Sequence, residues 1–163
     1  MKYFNARRNI KVFFIISLMF FNVSLFSEEQ TVTDAWTAYN NKNYELAIKY
    51  ANECIELFSR DAEIIQNNLI ANKARVPPVG TVSTSDKTWI FNLGLLNDVA
   101  TALFIKGRSA EYLYFNNKNL NTKYKMIAEN AYNELKKYQY GRTWDPKGWF
   151  WSPYDTAMKR IPL

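Results

Sequence analysis

The sequence predicts an all-α fold: antiparallel helical hairpins with a short C-terminal capping helix. Three observations lead there. Apolar residues recur every three or four positions through most of residues 33–140, the spacing of one face of a helix. Two asparagine-rich stretches, Asn40-Asn41-Lys42-Asn43 and Asn116-Asn117-Lys118-Asn119, interrupt that pattern as tight polar turns. Sustained alternation of apolar and polar residues between hairpin turns, the mark of a strand, is missing.

In chain order, MKYFNARRNIK carries Lys2, Arg7, Arg8 and Lys11 and no acid. The apolar run Val12–Phe26 follows. Charge, apolar core and then a small residue is the order of an export signal, expected to be cleaved after Ser27. The run is shorter than the roughly 20 residues a spanning helix needs, so no stable membrane span is expected after cleavage. An uncleaved N-terminal anchor is the alternative. The expected location is periplasmic or secreted.

Residues 28–163 are expected to form one domain. Thr33 or Asp34 would cap a first helix to about Asn40. A second helix follows from Tyr44 to Phe58, completing a hairpin over 33–58. Ser59 looks like a new N-cap, with Asp61 and Glu63 in the first turn of a helix over 60–74. Pro77-Pro78 and Gly80 make 76–85 a loop. A long hairpin is expected over 86–140, its first helix running from Asp86 to Asn116. The wide stripe of Leu96, Val99, Leu103, Ala110 and Leu113 marks that helix as central. Its second helix runs from Thr122 to Tyr140, with Gly141 as the terminating residue. An aromatic cap, 141–163, holds Trp144, Trp149 and Trp151, then a helix opened by Ser152 as N-cap, Pro153 and Asp155.

Charge and composition exclude several functions. The chain has 163 residues, 21 basic and 15 acidic, or +6. Four of the basic residues and no acids lie in 1–27, leaving 17 against 15, or +2. That balance gives no electrostatic case for nucleic acid. Histidine is absent, which removes imidazole metal sites and Ser-His or Cys-His nucleophile pairs. Cys54 is the sole cysteine and has no partner for a zinc site or an intrachain disulfide. No glycine-rich loop cradles a phosphate. Neither a metal nor a cofactor is expected. A carboxylate pair, Asp145 with Asp155, is the one catalytic arrangement left open, since a glycosidase needs two carboxyl groups about 5–9 Å apart. Both acids also have simpler roles, at a turn and at a helix start.

The segment AWTAYNNKNYELAIKYANECIEL, Ala35–Leu57, resembles a tetratricopeptide repeat, with small residues Ala35, Ala47 and Cys54 at its helix crossing. Gly107 and Ala128 look like the small residues of a second, lengthened unit. The pieces Asn97-Asp98-Val99-Ala100, Phe104-Ile105-Lys106-Gly107 and Trp144-Asp145-Pro146-Lys147-Gly148-Trp149-Phe150-Trp151 resemble small exported bacterial proteins of this type. The resemblance implies a non-catalytic protein that binds a protein or peptide in the cell envelope. First-helix residues line the concave side of such hairpins, so Trp36, Tyr39, Asn40, Tyr112 and Asn116 are the expected partner contacts.

The aromatic motif adds Trp149 and Trp151 as candidate contacts, two residues apart and expected on one side, with Phe150 on the other. Trp144 is expected to pack against Tyr140 or the central helix. The alternative function is cell-wall glycan binding or hydrolysis through this motif. The cluster Lys136, Lys137, Arg142, Lys147, Lys159 and Arg160 is expected to be a solvated face, suited to an anionic polymer if it forms a patch.

Overall fold

A computed structural model describes residues 31–116 and 122–160; the expected export segment lies outside them. The fold is all-α, with one small two-stranded sheet near its C-terminal end. Helix α1 covers residues 31–40. It is followed by α2 (Tyr44–Ala71), α3 (Thr84–Phe91), α4 (Gly94–Asn116) and α5 (Thr122–Leu135). Strands β1 (Thr143–Asp145) and β2 (Trp149–Trp151) precede α6 (Pro153–Met158).

Helix α1 is already helical at Thr31, so Thr33 and Asp34 lie inside it rather than capping it. It ends with Lys42 in the left-handed region, φ 60°. The Lys42 N–H donates to the Tyr39 carbonyl and the Asn43 N–H to the Ala38 carbonyl. This is the usual glycine-terminated helix end, with lysine in the glycine position. Asn43 then caps α2, its side-chain oxygen accepting from the Leu46 N–H.

The expected break at Ser59 does not occur. Helix α2 continues for 28 residues, because Ala62 and Gln66 carry the buried stripe of Ala47, Ala51 and Cys54 onward. It stops at a second lysine-terminated end. Lys73 sits at φ 51°, and the Ala74 N–H donates to the Leu69 carbonyl.

The helix expected over 86–116 is two helices. Ser83 caps α3 by accepting from the Asp86 N–H, so α3 begins inside the expected loop. A bend of 77° separates α3 from α4. The Asn97 side chain bridges the corner by donating to the Ile90 carbonyl, while Ile90 and Leu93 are buried there.

Helix α4 is the centre of the molecule, packed between α2 and α5 and buried on several sides. Tyr44 at the start of α2 meets Tyr112 near the end of α4. Ala62, further along α2, joins the cluster of Leu93 and Leu96 at the start of α4. The two helices therefore run antiparallel. Ala35, Ala47, Ala51 and Cys54 share a second cluster with Ala102 and Ile105. On the other side, a Cβ at Gly107 would lie 2.3 Å from the Tyr132 ring. Only hydrogen at that position lets α5 lie so close. Ala128 is also fully buried.

Helix α5 ends at Leu135, earlier than expected, because Tyr138 and Tyr140 turn inward. The Tyr140 N–H donates to the Gln66 side chain and its hydroxyl to the Ala74 carbonyl. Gly141 serves close approach rather than helix termination: a Cβ there would lie 2.5 Å from that of Ala100.

The aromatic motif contains the sheet that the sequence pattern does not announce. Three-residue strands are too short for alternation to show. The turn Asp145–Gly148 joins them, with the Gly148 N–H donating to the Asp145 carbonyl and Gly148 at φ 100°. Ser152 caps α6 as expected, accepting from the Asp155 N–H, with Pro153 next.

Among the described residues no single helix is long and apolar enough to cross a membrane. The pair α3 and α4 passes such a test together only across its 77° bend.

Candidate functional site

Phe150 is the anchor that fixes the β-hairpin. It is 1% exposed, edge-on to Trp144 at 4.8 Å and to Phe91 of α3 at 5.4 Å. Its backbone N–H and carbonyl both bond Gly80, at 2.9 and 2.7 Å, so the loop before α3 forms a one-residue third strand. Trp144 packs on Phe91 and Phe150, not on Tyr140, and the Lys87 ammonium sits 4.3 Å from its ring centre.

The opposite face of the hairpin packs on the helices. Trp151 lies edge-on to Phe104 of α4 at 4.8 Å and to Trp36 of α1 at 6.4 Å. The Thr143 hydroxyl bonds the Thr101 hydroxyl at 2.6 Å. Arg142, expected on a solvated basic face, is instead 3% exposed. Its guanidinium donates to the carbonyls of Pro77, Gln139 and Gly141. Burial lowers its pKa, with the Asp155 charge opposing, and the three carbonyls use its donors for tying loops together.

Two grooves open where α1 faces β1. One, of about 370 Å³, is lined by Trp36 and Asn40 of α1, Trp144 and Asp145 of β1, Pro146 of the turn and Trp151 of β2. The other, of about 340 Å³, lies toward the starts of α1 and α4. Its lining includes Val32, Thr33, Asn97, Asp98, Thr101 and Arg142. Trp36 and Trp144 belong to both, so the grooves adjoin. Both fall within the size range of ligand sites. The first has aromatic walls with two polar side chains, Asn40 and Asp145, whereas the second carries six, Thr33, Asn97, Asp98, Thr101, Arg142 and Thr143.

Of the expected contacts, Trp36, Asn40 and Trp151 come together here. Trp36 and Asn40 are one helical turn apart and so share a face. Tyr39 and Tyr112 belong to a neighbouring ring cluster that the protein itself fills. Tyr112 stacks on Tyr44 at 4.9 Å with planes 7° apart, and the Arg108 guanidinium lies 4.7 Å from the Tyr112 ring centre. Burial raises the Tyr39 pKa, opposed by Arg108. Asn116 ends α4, its side chain donating to the Tyr112 carbonyl. Trp149 is 38% exposed and lines neither groove.

Trp144, Asp145 and Pro146 join the site without having been expected as contacts. The signal for them was the Asp-Pro turn between two short aromatic runs, which puts Asp145 and Trp149 opposite one another. Asp145 Oδ1 accepts from the Lys147 N–H. It is the one carboxylate lining the larger groove. Asp155 lies in the first turn of α6 and does not reach that lining.

Beside the ring cluster lies a buried ionic group that sequence reasoning missed. Glu111 on α4 accepts from Tyr132 of α5 at 2.6 Å, Arg108 at 2.7 Å and Arg160, just after α6, at 2.9 Å. Burial alone would raise the Glu111 pKa; the hydrogen bonds from Tyr132 and Arg108 and the charges of Arg108 and Arg160 outweigh it and hold the carboxyl below its ordinary value. Burial and the Glu111 carboxylate both push Tyr132 upward. Each partner of the carboxylate is charged or a good donor, so the group acts as a clasp for three helices.

Among the described residues no three His, Cys, Asp or Glu side chains are grouped to hold a metal. No protein-family model, curated protein or solved structure is significantly similar to the chain.

Proposed function

We propose that this is a non-catalytic binding protein of the cell envelope, periplasmic or secreted, that takes a segment of a protein or peptide in the groove between α1 and the β-hairpin. The observation that carries the reading is the convergence of Trp36, Trp144, Trp151 and Pro146 with two polar side chains, Asn40 and Asp145. Indoles supply large rigid contact area at low entropic cost, and binding energy concentrates on such residues. A helical hairpin with small residues at its crossing supports a tetratricopeptide-like relation, although α2 is far longer than one repeat would need. Export rests on the charge and hydropathy of residues 1–26.

A glycan-binding alternative draws on the same indoles. It is less well supported, because each sugar hydroxyl that leaves water needs a polar partner. The larger groove offers two, and Asp145 Oδ1 already accepts from Lys147. Hydrolysis has still less support, since a second carboxylate does not share that groove.

A pull-down from envelope fractions tests the reading, comparing the full-length protein with its Trp36→Ala variant. The expected result is a protein retained by the parent and lost by the variant. Recovery of nothing above background across several growth states would sink it. Retention of peptidoglycan fragments or β-glucan in place of protein would transfer the groove to the alternative.

A further inference from the structure

The strand β1 has one edge facing the grooves, and its hydrogen-bonding register can be worked out. Phe150 spends both its backbone groups on Gly80, on the far side of β2 from β1. In an antiparallel pair, residues that point their groups away from each other form a non-hydrogen-bonded pair. Trp144 is the partner of Phe150. The Trp144 N–H and carbonyl therefore point outward from β1, away from β2, and neither is taken up by another described residue.

The positions on either side of Trp144 in the same register are closed. The Arg142 N–H donates to the Asn97 side chain at 2.9 Å. Pro146 has no N–H at all, a common way to blunt an exposed strand edge. The edge is thus protected at both ends and open at one residue, and that residue, with Trp36, lines both grooves. Trp36 stands across from it on α1.

We propose that β1 receives an extended peptide by strand addition. One residue of the peptide exchanges two backbone hydrogen bonds with Trp144, and its flanking residues extend into the two grooves. Main-chain pairing supplies affinity in such complexes, and pockets for alternate side chains supply selectivity. Residues flanking the paired one share the face of Thr143, Asp145 and Trp151, since side chains alternate along a strand. The Asp145 carboxylate and the indole of Trp151 on that face favour a lysine or arginine there. This inference rests on the peptide-binding reading and narrows it to backbone recognition of an extended segment carrying a basic residue.

A pool of random synthetic heptapeptides, screened against the full-length protein, provides the probe. Selected peptides are then resynthesised with single backbone N-methyl groups, and amide hydrogen exchange is followed at Trp144. The expected result is about a tenfold loss of affinity for N-methylation at one position, the size of one lost hydrogen bond. Trp144 exchange should slow on binding while that of Arg142, already bonded to Asn97, stays as it was. The pool selected by Asp145→Asn should lose its preference for basic residues; an unchanged preference would remove the basic residue from the proposal. Peptides that bind with a flat N-methyl scan and unaltered Trp144 exchange would overturn strand addition and leave peptide binding standing. A pool yielding no binder would overturn both. Slow Trp144 exchange before any peptide is added would also overturn it, because the edge would then already be closed without a peptide.

Discussion

The two ends of this molecule are held together by opposite means. Where α1, α2 and α4 cross, the packing depends on side chains that are small: Ala35, Ala47, Ala51, Cys54 and Ala102 are all fully buried. At the hairpin end the packing depends on rings, with Trp36, Phe91, Phe104, Trp144, Phe150 and Trp151 joined edge to face. The first region fails when volume is added, and the second when volume is removed. The groove belongs to the second kind. A surface built of rings retains exposed indole for a ligand, whereas a crossing built of alanines has nothing left to offer.

The largest effect should come from removing the ring-packed end altogether. A chain stopped after Arg142 loses Phe150 and Trp151, each worth about 3–5 kcal/mol when truncated in a core. It also loses the Thr143 bond to Thr101 and the Arg160 arm of the Glu111 clasp. Together these losses match the entire stability of an ordinary domain, about 5–15 kcal/mol. The truncated protein should aggregate or melt without a cooperative transition by circular dichroism. A cooperative melt like the parent's would show that the helical part stands alone and that the aromatic end exists only for binding.

Adding volume at the other end comes next. Ala47 is fully buried, so Ala47→Trp forces the crossing apart at a cost of about 3 kcal/mol. That should lower the melting temperature by roughly 10 °C. A change within about 2 °C would mean that the crossing can open, and the contrast between the two ends would lose its basis.

The small-residue crossing was legible in sequence because helical spacing and residue size are both visible in one dimension. Ala35, Ala47 and Cys54 stand out among larger neighbours. The end of α1 at Asn40 was legible from the polar turn that follows it. The length of α2 was not, because Ser59 followed by Asp61 and Glu63 imitates a helix start, whereas the serine merely lies on the helix. The hairpin was hidden for another reason. Its strands are three residues long, and their order depends on Gly80, about 70 residues away in sequence, closing one edge. Half of the groove was legible in Trp36, Asn40 and Trp151. The rest was not, because Trp144 and Asp145 reach the site only through that long-range pairing. The Glu111 clasp joins three helices and leaves no local trace for the same reason.

The clasp ties α4 to α5 and to the residue after α6, and it responds to pH. Glu111→Gln leaves Arg108 and Arg160 without their carboxylate in a partly buried place, and should cost about 2 kcal/mol near neutral pH, below the range for fully buried pairs. The sign follows from the lowered pKa of Glu111. Its contribution is complete above the ordinary carboxylate range and is lost as the pH falls through its lower folded-state value. The melting-temperature gap between parent and variant should therefore shrink in acid. A gap that stays constant from neutral pH to about pH 3 would show that the variant disturbs packing rather than the ion group.

The smallest effect separates two tryptophans on one strand. Trp149 and Trp151 share a face by alternation, yet Trp151 is held between Trp36 and Phe104 while Trp149 is 38% exposed. The face is thus covered at Trp151 and partly open at Trp149, beside the turn. Trp149→Ala should change stability by less than about 0.5 kcal/mol, as surface replacements usually do. Trp151→Ala should cost several times more, since it opens the contact with α1 and α4. Trp149→Ala should also leave groove binding unchanged, because the residue lies outside both linings. Measuring melting temperature and affinity for the same selected peptide on both variants separates packing from recognition. A Trp149→Ala variant that keeps its stability and loses the peptide would extend the binding surface across the turn, and would show that the ring-packed end presents its exposed indole as well as its groove.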